Sequence, residues 1–181
     1  GHICNHTDQQ GRYAYARQPS VAFWNLHALA HGLLPLLAVE LGAEAGEDIP
    51  PAVQQAAVAA LEPYKEAFAT AMLGGLRAKL GLAEAREGDR DLCDDLLRLM
   101  AAGRTDFTIA FRRLATFSSA PGAANDTVRD LFVDRPAFDA WAARYAERLR
   151  GEGRNDAERA AAMDRVNPKY VLRNHLAETA I

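Results

Sequence analysis

Apolar positions recur every three or four residues along the chain, the spacing of one helix face, and nowhere alternate with the period of two that a half-buried strand needs. The pattern predicts an all-α protein, an array of about seven to nine helices behind an irregular N-terminal loop. Residues 1–19, GHICNHTDQQGRYAYARQP, are polar, dotted with aromatics and without helical period, which reads as a long ordered loop. From Ser20, a candidate N-cap, Val21, Trp24, Leu29 and Leu33 keep helical spacing until Pro35, which should kink or restart the helix. Residues 42–51 are turn chemistry, with Pro51 placed for a first helical position. A long stripe follows through Val53, Ala57, Leu61, Tyr64, Phe68, Met72, Leu76 and Leu80, bent or segmented at Pro63 and Gly74-Gly75 and stopped at Gly81.

Asp89 then opens a helix with Leu92, Cys93, Leu96, Leu99 and Met100 on one face, and Thr105 opens another with Phe107, Ala110, Phe111, Leu114 and Phe117 inward. After the break SSAPGAAND, a short helix is expected over 128–132. Beyond Pro136 the stripe Phe138, Trp141, Ala142, Tyr145 and Leu149 runs to a Gly-rich turn at 151–153. Residues 156–165 are helical with a mostly Ala face, and Pro168 starts a final helix through Tyr170, Leu172 and Leu176. A break near 118–125 could divide the helices, but a single domain over 20–181 is the simpler organisation.

Composition narrows the class. A 49% apolar and 25% charged content is that of an ordinary globular domain. The net charge of −3, from 21 basic and 24 acidic residues, comes without the basic stripe that nucleic-acid binding requires. Two cysteines, Cys4 and Cys93, suit a reducing compartment, the cytoplasm by default. The longest apolar run, 33–41, is interrupted by Pro35 and Glu40 and falls short of the ~20 residues that cross a bilayer, so no membrane segment is expected. The opening Gly-His-Ile-Cys has no initiator Met and no signal-peptide features, and reads as a boundary cut in a longer chain.

Candidate chemistry gathers at the N-terminus. His2, Cys4, His6 and Asp8 alternate, so an extended segment would put four metal-ligand types on one face. Strung over about 20 Å, however, they match poorly the paired ligands of structural zinc sites, and a loop held by side-chain hydrogen bonds is the plainer reading. Cys4, flanked by His2 and His6 in a polar loop, is a nucleophile or redox candidate, whereas Cys93 lies on a buried face. His27 and His31 are one helical turn apart but lack the intervening glutamate of a metalloprotease motif. No nucleophile elbow, phosphate-binding loop or dinucleotide fingerprint occurs. Lys169, Arg173 and Asn174 near the C-terminus suit docking through charge-assisted hydrogen bonds more than catalysis.

Three segments together resemble the selenoprotein O family of protein adenylyltransferases: ICNHTDQQGRYAYARQPSVAFWNL at 3–26, NDTVRDLF at 125–132 followed by Trp141 and Tyr145, and VNPKYVLRNHLAETAI at 166–181. The resemblance implies the C-terminal lobe of a protein-kinase-like fold, in a protein that transfers AMP from ATP to hydroxyl groups of other proteins. It implies that residues 1–19 are the counterpart of a kinase activation loop, with Asn5, His6, Asp8 and Arg12 as candidate functional residues, and that 20–181 are lower-lobe helices. It also implies that the catalytic and magnesium-holding residues precede Gly1. ATP and magnesium are then expected for the parent protein and no cofactor for this fragment, which should be inactive alone. Expected partners are the missing N-terminal lobe, the parent's protein substrates and, through uncovered apolar surface, a second copy of the chain. Cys4, by its activation-loop-like position, becomes a candidate for a reversible disulfide with a cysteine beyond residue 181. The alternatives are an autonomous helical interaction module and a small metal-binding domain built on His2, Cys4, His6 and Asp8.

Overall fold

The computed structural model describes residues 7–44, 46–171 and 179. Among them all regular structure is helical: a 3-10 turn (Tyr15–Arg17), then α1 (Gln18–Glu40), α2 (Pro51–Leu61), α3 (Pro63–Lys79), α4 (Asp89–Gly103), α5 (Phe107–Leu114), α6 (Asp126–Arg129), α7 (Arg135–Glu152) and α8 (Asp156–Val166). The chain divides into two compact units, Gly1–Ala71 and Met72–Ile181, so the break at 118–125 falls inside the second.

The first unit is built on α1. This helix begins two residues before Ser20, because the 3-10 turn runs straight into it and Pro19 occupies its first turn; Ser20 is therefore a helical residue and not the cap. Nor does Pro35 end it: α1 continues unbroken to Glu40. Consequently α1 is long and apolar enough, by length and composition, to cross a membrane, which the sequence expectation of an interrupted run had missed. The covered face also differs from the expected one. Leu34 and Ala38 are buried with Val53 of α2, and Ala43, Ile49 and Ala57 pack at their edge. Trp24 and Leu29 remain 56% and 59% exposed. A helix that is apolar all round carries no periodic signal for which face will be covered. Pro63 separates α2 from α3 as expected, whereas Gly74 and Gly75 leave α3 intact, with open space where a Cβ would project.

The second unit has the larger core. Leu92, Cys93, Leu96 and Met100 of α4, Ala110, Phe111 and Leu114 of α5, and Phe138, Trp141, Tyr145 and Leu149 of α7 are buried together, as their spacing predicted. Fully burying a side chain such as Leu96 or Phe138 contributes about 2 kcal/mol. Phe107, expected inward, is 45% exposed at the start of α5. The rings form a continuous chain of contacts, Phe132 stacked on Phe138 at 4.5 Å and Trp141 on Tyr145 at 4.9 Å between centroids, joined by a tilted Phe138–Trp141 contact at 5.7 Å. Both polar ring atoms are satisfied inside it: Trp141 Nε1 donates to the Leu92 carbonyl at 2.9 Å, and Tyr145 Oη to the Leu80 carbonyl at 2.6 Å.

Three helices start on side-chain caps: Asp106 accepts from the Ile109 amide, Asp134 from that of Ala137 and Asn155 from that of Ala157. Thr105 is thus not the cap of α5; its hydroxyl donates to the Leu131 carbonyl instead. Asp89 does not cap α4 either. Buried at 1% exposure, it accepts from the Arg86 amide and pairs with Arg148 at 2.7 Å. Arg148 also holds Glu152 at 2.9 Å, and Glu152 accepts the amides of Ala83 and Glu84, which ties the 81–88 loop to α7. The short helix near 128–132 is α6, displaced to 126–129. Residues 168–171 are not helical, so no helix starts at Pro168; Pro168 follows Asn167, whose extended backbone closes α8. Leu172, Arg173, Asn174 and Leu176 lie outside the described residues.

Two expectations follow. The sparse first-unit core implies that α1 amides exchange with solvent faster than those of α4 by about two orders of magnitude. Hydrogen exchange by mass spectrometry measures this, and equal protection of the two helices would contradict it. The second concerns acid. Burial would push the Glu152 carboxyl up, but the Ala83 and Glu84 amides and Arg148 outweigh it and hold Glu152 below its ordinary 4.5. A carboxyl depressed in the native state stabilises the fold above its unfolded value, and that contribution is lost as pH falls through the native one. Glu152→Gln should therefore cost about 1–3 kcal/mol at pH 7, since the Ala83 and Glu84 amides lose their charged acceptor and Arg148 keeps Asp89 alone as its ion-pair partner. Its thermal midpoint should also vary less than the parent's below pH 4.5. Parallel acid profiles for the two proteins would refute the assignment.

Candidate functional site

Of the residues singled out at the N-terminus, His2, Cys4, Asn5 and His6 lie outside the described residues. Asp8 and Arg12 are described, and they define a tight turn ahead of α1. Both carboxylate oxygens of Asp8 are engaged, Oδ1 by the Arg12 amide and Oδ2 by the Tyr13 amide, each at 2.8 Å. Gly11 takes φ +65, a left-handed value that glycine adopts without Cβ strain, and its amide donates to the Asp8 carbonyl at 3.1 Å. Successive turns link Ala14 to Gly11 and Arg17 to Ala14, and the Arg17 guanidinium donates to the Gln10 carbonyl at 3.1 Å. Asp8 therefore organises backbone, as a hydrogen-bonded loop would.

The turn presents cationic side chains on aromatic faces. The Arg12 guanidinium sits 4.3 Å from the Trp24 ring centroid and 5.5 Å from that of Tyr13. Such stacking fixes a guanidinium in place while leaving its N–H edge for an anion. Further along, Phe23 stacks on Tyr64 at 5.2 Å and Tyr64 on Phe68 at 6.2 Å, and the Tyr64 hydroxyl donates to the Pro19 carbonyl at 2.9 Å. The Phe23 ring also takes the edge of His27 at 4.5 Å and the Lys65 ammonium at 5.4 Å. His27 thus packs against a ring, and with His31 it lines a cleft beside Leu34 and Ala57. No group of three metal-ligating side chains occurs among the described residues.

Several residues of the motifs carry structural work that spacing did not reveal. Asn125 accepts the Ser118 amide at 2.7 Å and donates back to the Ser118 carbonyl, closing the 118–125 loop. Asn167, fully buried, donates to the Lys79 carbonyl at 2.8 Å at the end of α3. Arg112 donates to the carbonyls of Asp164 and Asn167, each at 3.0 Å. Arg159 is 2% exposed; it donates to the Phe117 carbonyl and pairs with Asp156 at 3.2 Å, while its Nε has no partner among the described residues. Asp156 in turn accepts the amide and hydroxyl of Ser119. Lys169 lies over the exposed ring of Tyr170 at 5.3 Å.

A family model described as protein adenylyltransferase SelO matches residues 1–181. Among curated relatives, the protein nucleotidyltransferase YdiU of Burkholderia multivorans is 53% identical over 180 residues, covering 99% of this chain and 34% of its own length. The proteins of the same name from Burkholderia pseudomallei and Burkholderia ambifaria are each 52% identical over the same shares. The chain thus spans about a third of the length of the curated relatives it matches.

Cys93 is sealed in the second unit's core at 1% exposure, and burial, reinforced by Asp89 and Asp94, pushes its thiol up from 9.0 to about 11. That shift leaves about a hundredfold less thiolate than an ordinary cysteine. In a Cys4→Ser background, a thiol-reactive disulfide reagent should find no reactive group until the protein is unfolded. Prompt stoichiometric labelling of the native variant would show the burial to be wrong.

Proposed function

The chain belongs to the protein adenylyltransferase SelO family, and from that premise we propose that it is the helical portion of a longer protein that transfers AMP from ATP to hydroxyl groups of proteins. The observation that carries this reading is a match along all 181 residues, together with relatives named as protein nucleotidyltransferases. In such a transfer the hydroxyl oxygen forms a bond to the α-phosphorus, the α–β anhydride bond breaks, pyrophosphate leaves and the hydroxyl proton passes to a base. Catalysis of this kind rests on positioned phosphates and metal. On this reading ATP, magnesium and the base are held by residues outside the chain, in a kinase-like arrangement whose lower lobe these helices form. Residues 1–181 alone therefore do not transfer AMP.

The surface of α1 supports a partner of the same polypeptide. Between Arg17 and Glu40 the helix carries no Asp, Glu, Lys or Arg, yet Leu36 and Leu29 are 68% and 59% exposed. Helices apolar all round are found enclosed by protein or lipid. Enclosure of its later part, Leu29 to Val39, by the rest of the longer protein accounts for this composition in a cytoplasmic enzyme, and self-association of the isolated chain is the corresponding expectation.

The test is transfer of radiolabel from ATP labelled at the α-phosphate to acceptor proteins. Residues 1–181 should leave acceptors at background, and the longer protein that contains them should label them. Labelling by residues 1–181 alone would overturn their assigned inactivity, and failure of the longer protein would overturn the reaction.

A further inference from the structure

At the start of α1, Gln10, Arg12, Arg17, Ser20, Val21 and Trp24 line a groove of about 560 Å³. It is a shallow, solvent-open depression: of these six residues only Val21 is half-buried and the others are exposed. Its charge has one sign. No Asp or Glu lines it, residues 9 to 39 contain none, and the nearest carboxylate in sequence, Asp8, has both oxygens committed to the amides of Arg12 and Tyr13. Neither Arg12 nor Arg17 forms an ion pair among the described residues. Arg12 is held by its stack on Trp24, and Arg17 by one hydrogen bond to the Gln10 carbonyl, so both guanidinium groups are placed in advance and retain unused N–H donors. The first turn of a 23-residue helix adds its positive end beside them.

From this arrangement we propose that the groove is a docking site for an acidic segment of a protein, whose carboxylates pair with Arg12 and Arg17 while a neighbouring side chain packs on Trp24. The choice of a protein segment rests on the reading above, in which the acceptor is a protein. The open shape agrees with it, because the exposed indole of Trp24 offers packing area that a lone phosphate leaves unused. Arginine and tryptophan are also the side chains that most often dominate binding at protein interfaces.

The test reads binding and not catalysis. A short fluorescein-labelled peptide rich in glutamate is titrated with the chain by anisotropy, while tryptophan emission locates the contact. The chain has two tryptophans, and Trp141 is 1% exposed, so a change in the solvent-exposed component reports Trp24. The glutamate peptide should bind and perturb that component, and its affinity should fall as salt is raised. Arg12→Gln and Arg17→Gln should each weaken binding about two- to five-fold, the cost of losing one exposed charge pair. Unchanged Trp141 emission would show that the variants remain folded. Equal affinity for the peptide with glutamine in place of glutamate, undiminished binding by both variants, or displacement of the peptide by an equal concentration of inorganic phosphate would each overturn the proposal. Because no nucleotide is present, failure here leaves the AMP-transfer reading standing, and failure of transfer leaves this measurement intact.

Discussion

A buried helix end leaves carbonyl groups without helical partners, and the second unit is organised around the side chains that answer them. Tyr145 answers Leu80, Asn167 answers Lys79, and Arg159 answers Phe117 just beyond α5. Trp141 reaches the Leu92 carbonyl within α4. Each donor comes from α7, α8 or the residue that ends α8, and each acceptor lies on an earlier part of the unit. An unanswered buried carbonyl costs about 1–3 kcal/mol, so this set of bonds fixes the register of α7 and α8 against the rest more sharply than apolar packing alone. The Asp89–Arg148–Glu152 network repeats the principle with amides in place of carbonyls. Glu152 takes two backbone N–H groups of the 81–88 loop, and Arg148 bridges it and Asp89.

The first unit obeys a different constraint. Its central helix has apolar surface on every side, but among the described residues cover comes from α2, the start of α3 and the turns beside them, and the buried cluster is Leu34, Ala38 and Val53. What is well determined there is the entrance to the helix. Asp8, Gly11 and Ala14 pass the chain through consecutive turns into Arg17, and Tyr64 clamps the Pro19 carbonyl where proline has removed a donor from the first helical turn. The entrance places Arg12 on Trp24, which makes this end of the unit its most chemically distinctive surface.

The stretches 92–100 and 138–149 announced their buried faces because polar residues fill the intervening positions, and their burial follows the helical period closely. In 18–40 that contrast is missing, so the covered face could not be read from spacing, and the proline that seemed to divide the helix is accommodated within it. Caps were ambiguous wherever two capping residues stood side by side: Thr105 and Asp106 are both credible, and geometry selects Asp106. Arg159 was illegible for another reason. Its neighbours on α8 are alanines and acids, the signature of a solvent face, and its burial depends on carbonyls more than forty positions away. Of the N-terminal candidates, the hydrogen-bonded loop reading holds for Asp8, while the stacking of Arg12 on Trp24 joins residues that no short motif couples.

Several described residues of the motifs that marked the family are pieces of scaffold. Asn125 closes a loop, Trp141 and Tyr145 satisfy carbonyls in the core, and Asn167 seals the end of α3, none of which is reaction chemistry. Residues of this kind are hard to replace, since a buried donor must keep both its shape and its bond, so they make long recognisable signatures without touching a substrate. Of the segments that mark the family, 125–132 and the described start of 166–181 are bonded into the second unit, whereas the described part of 3–26 forms the turn into α1 in the first. The guanidinium groups at the start of α1 differ in kind: they are held by the Trp24 ring and the Gln10 carbonyl, form no ion pair among the described residues, and so keep the donors on which the proposed docking of an acidic segment depends.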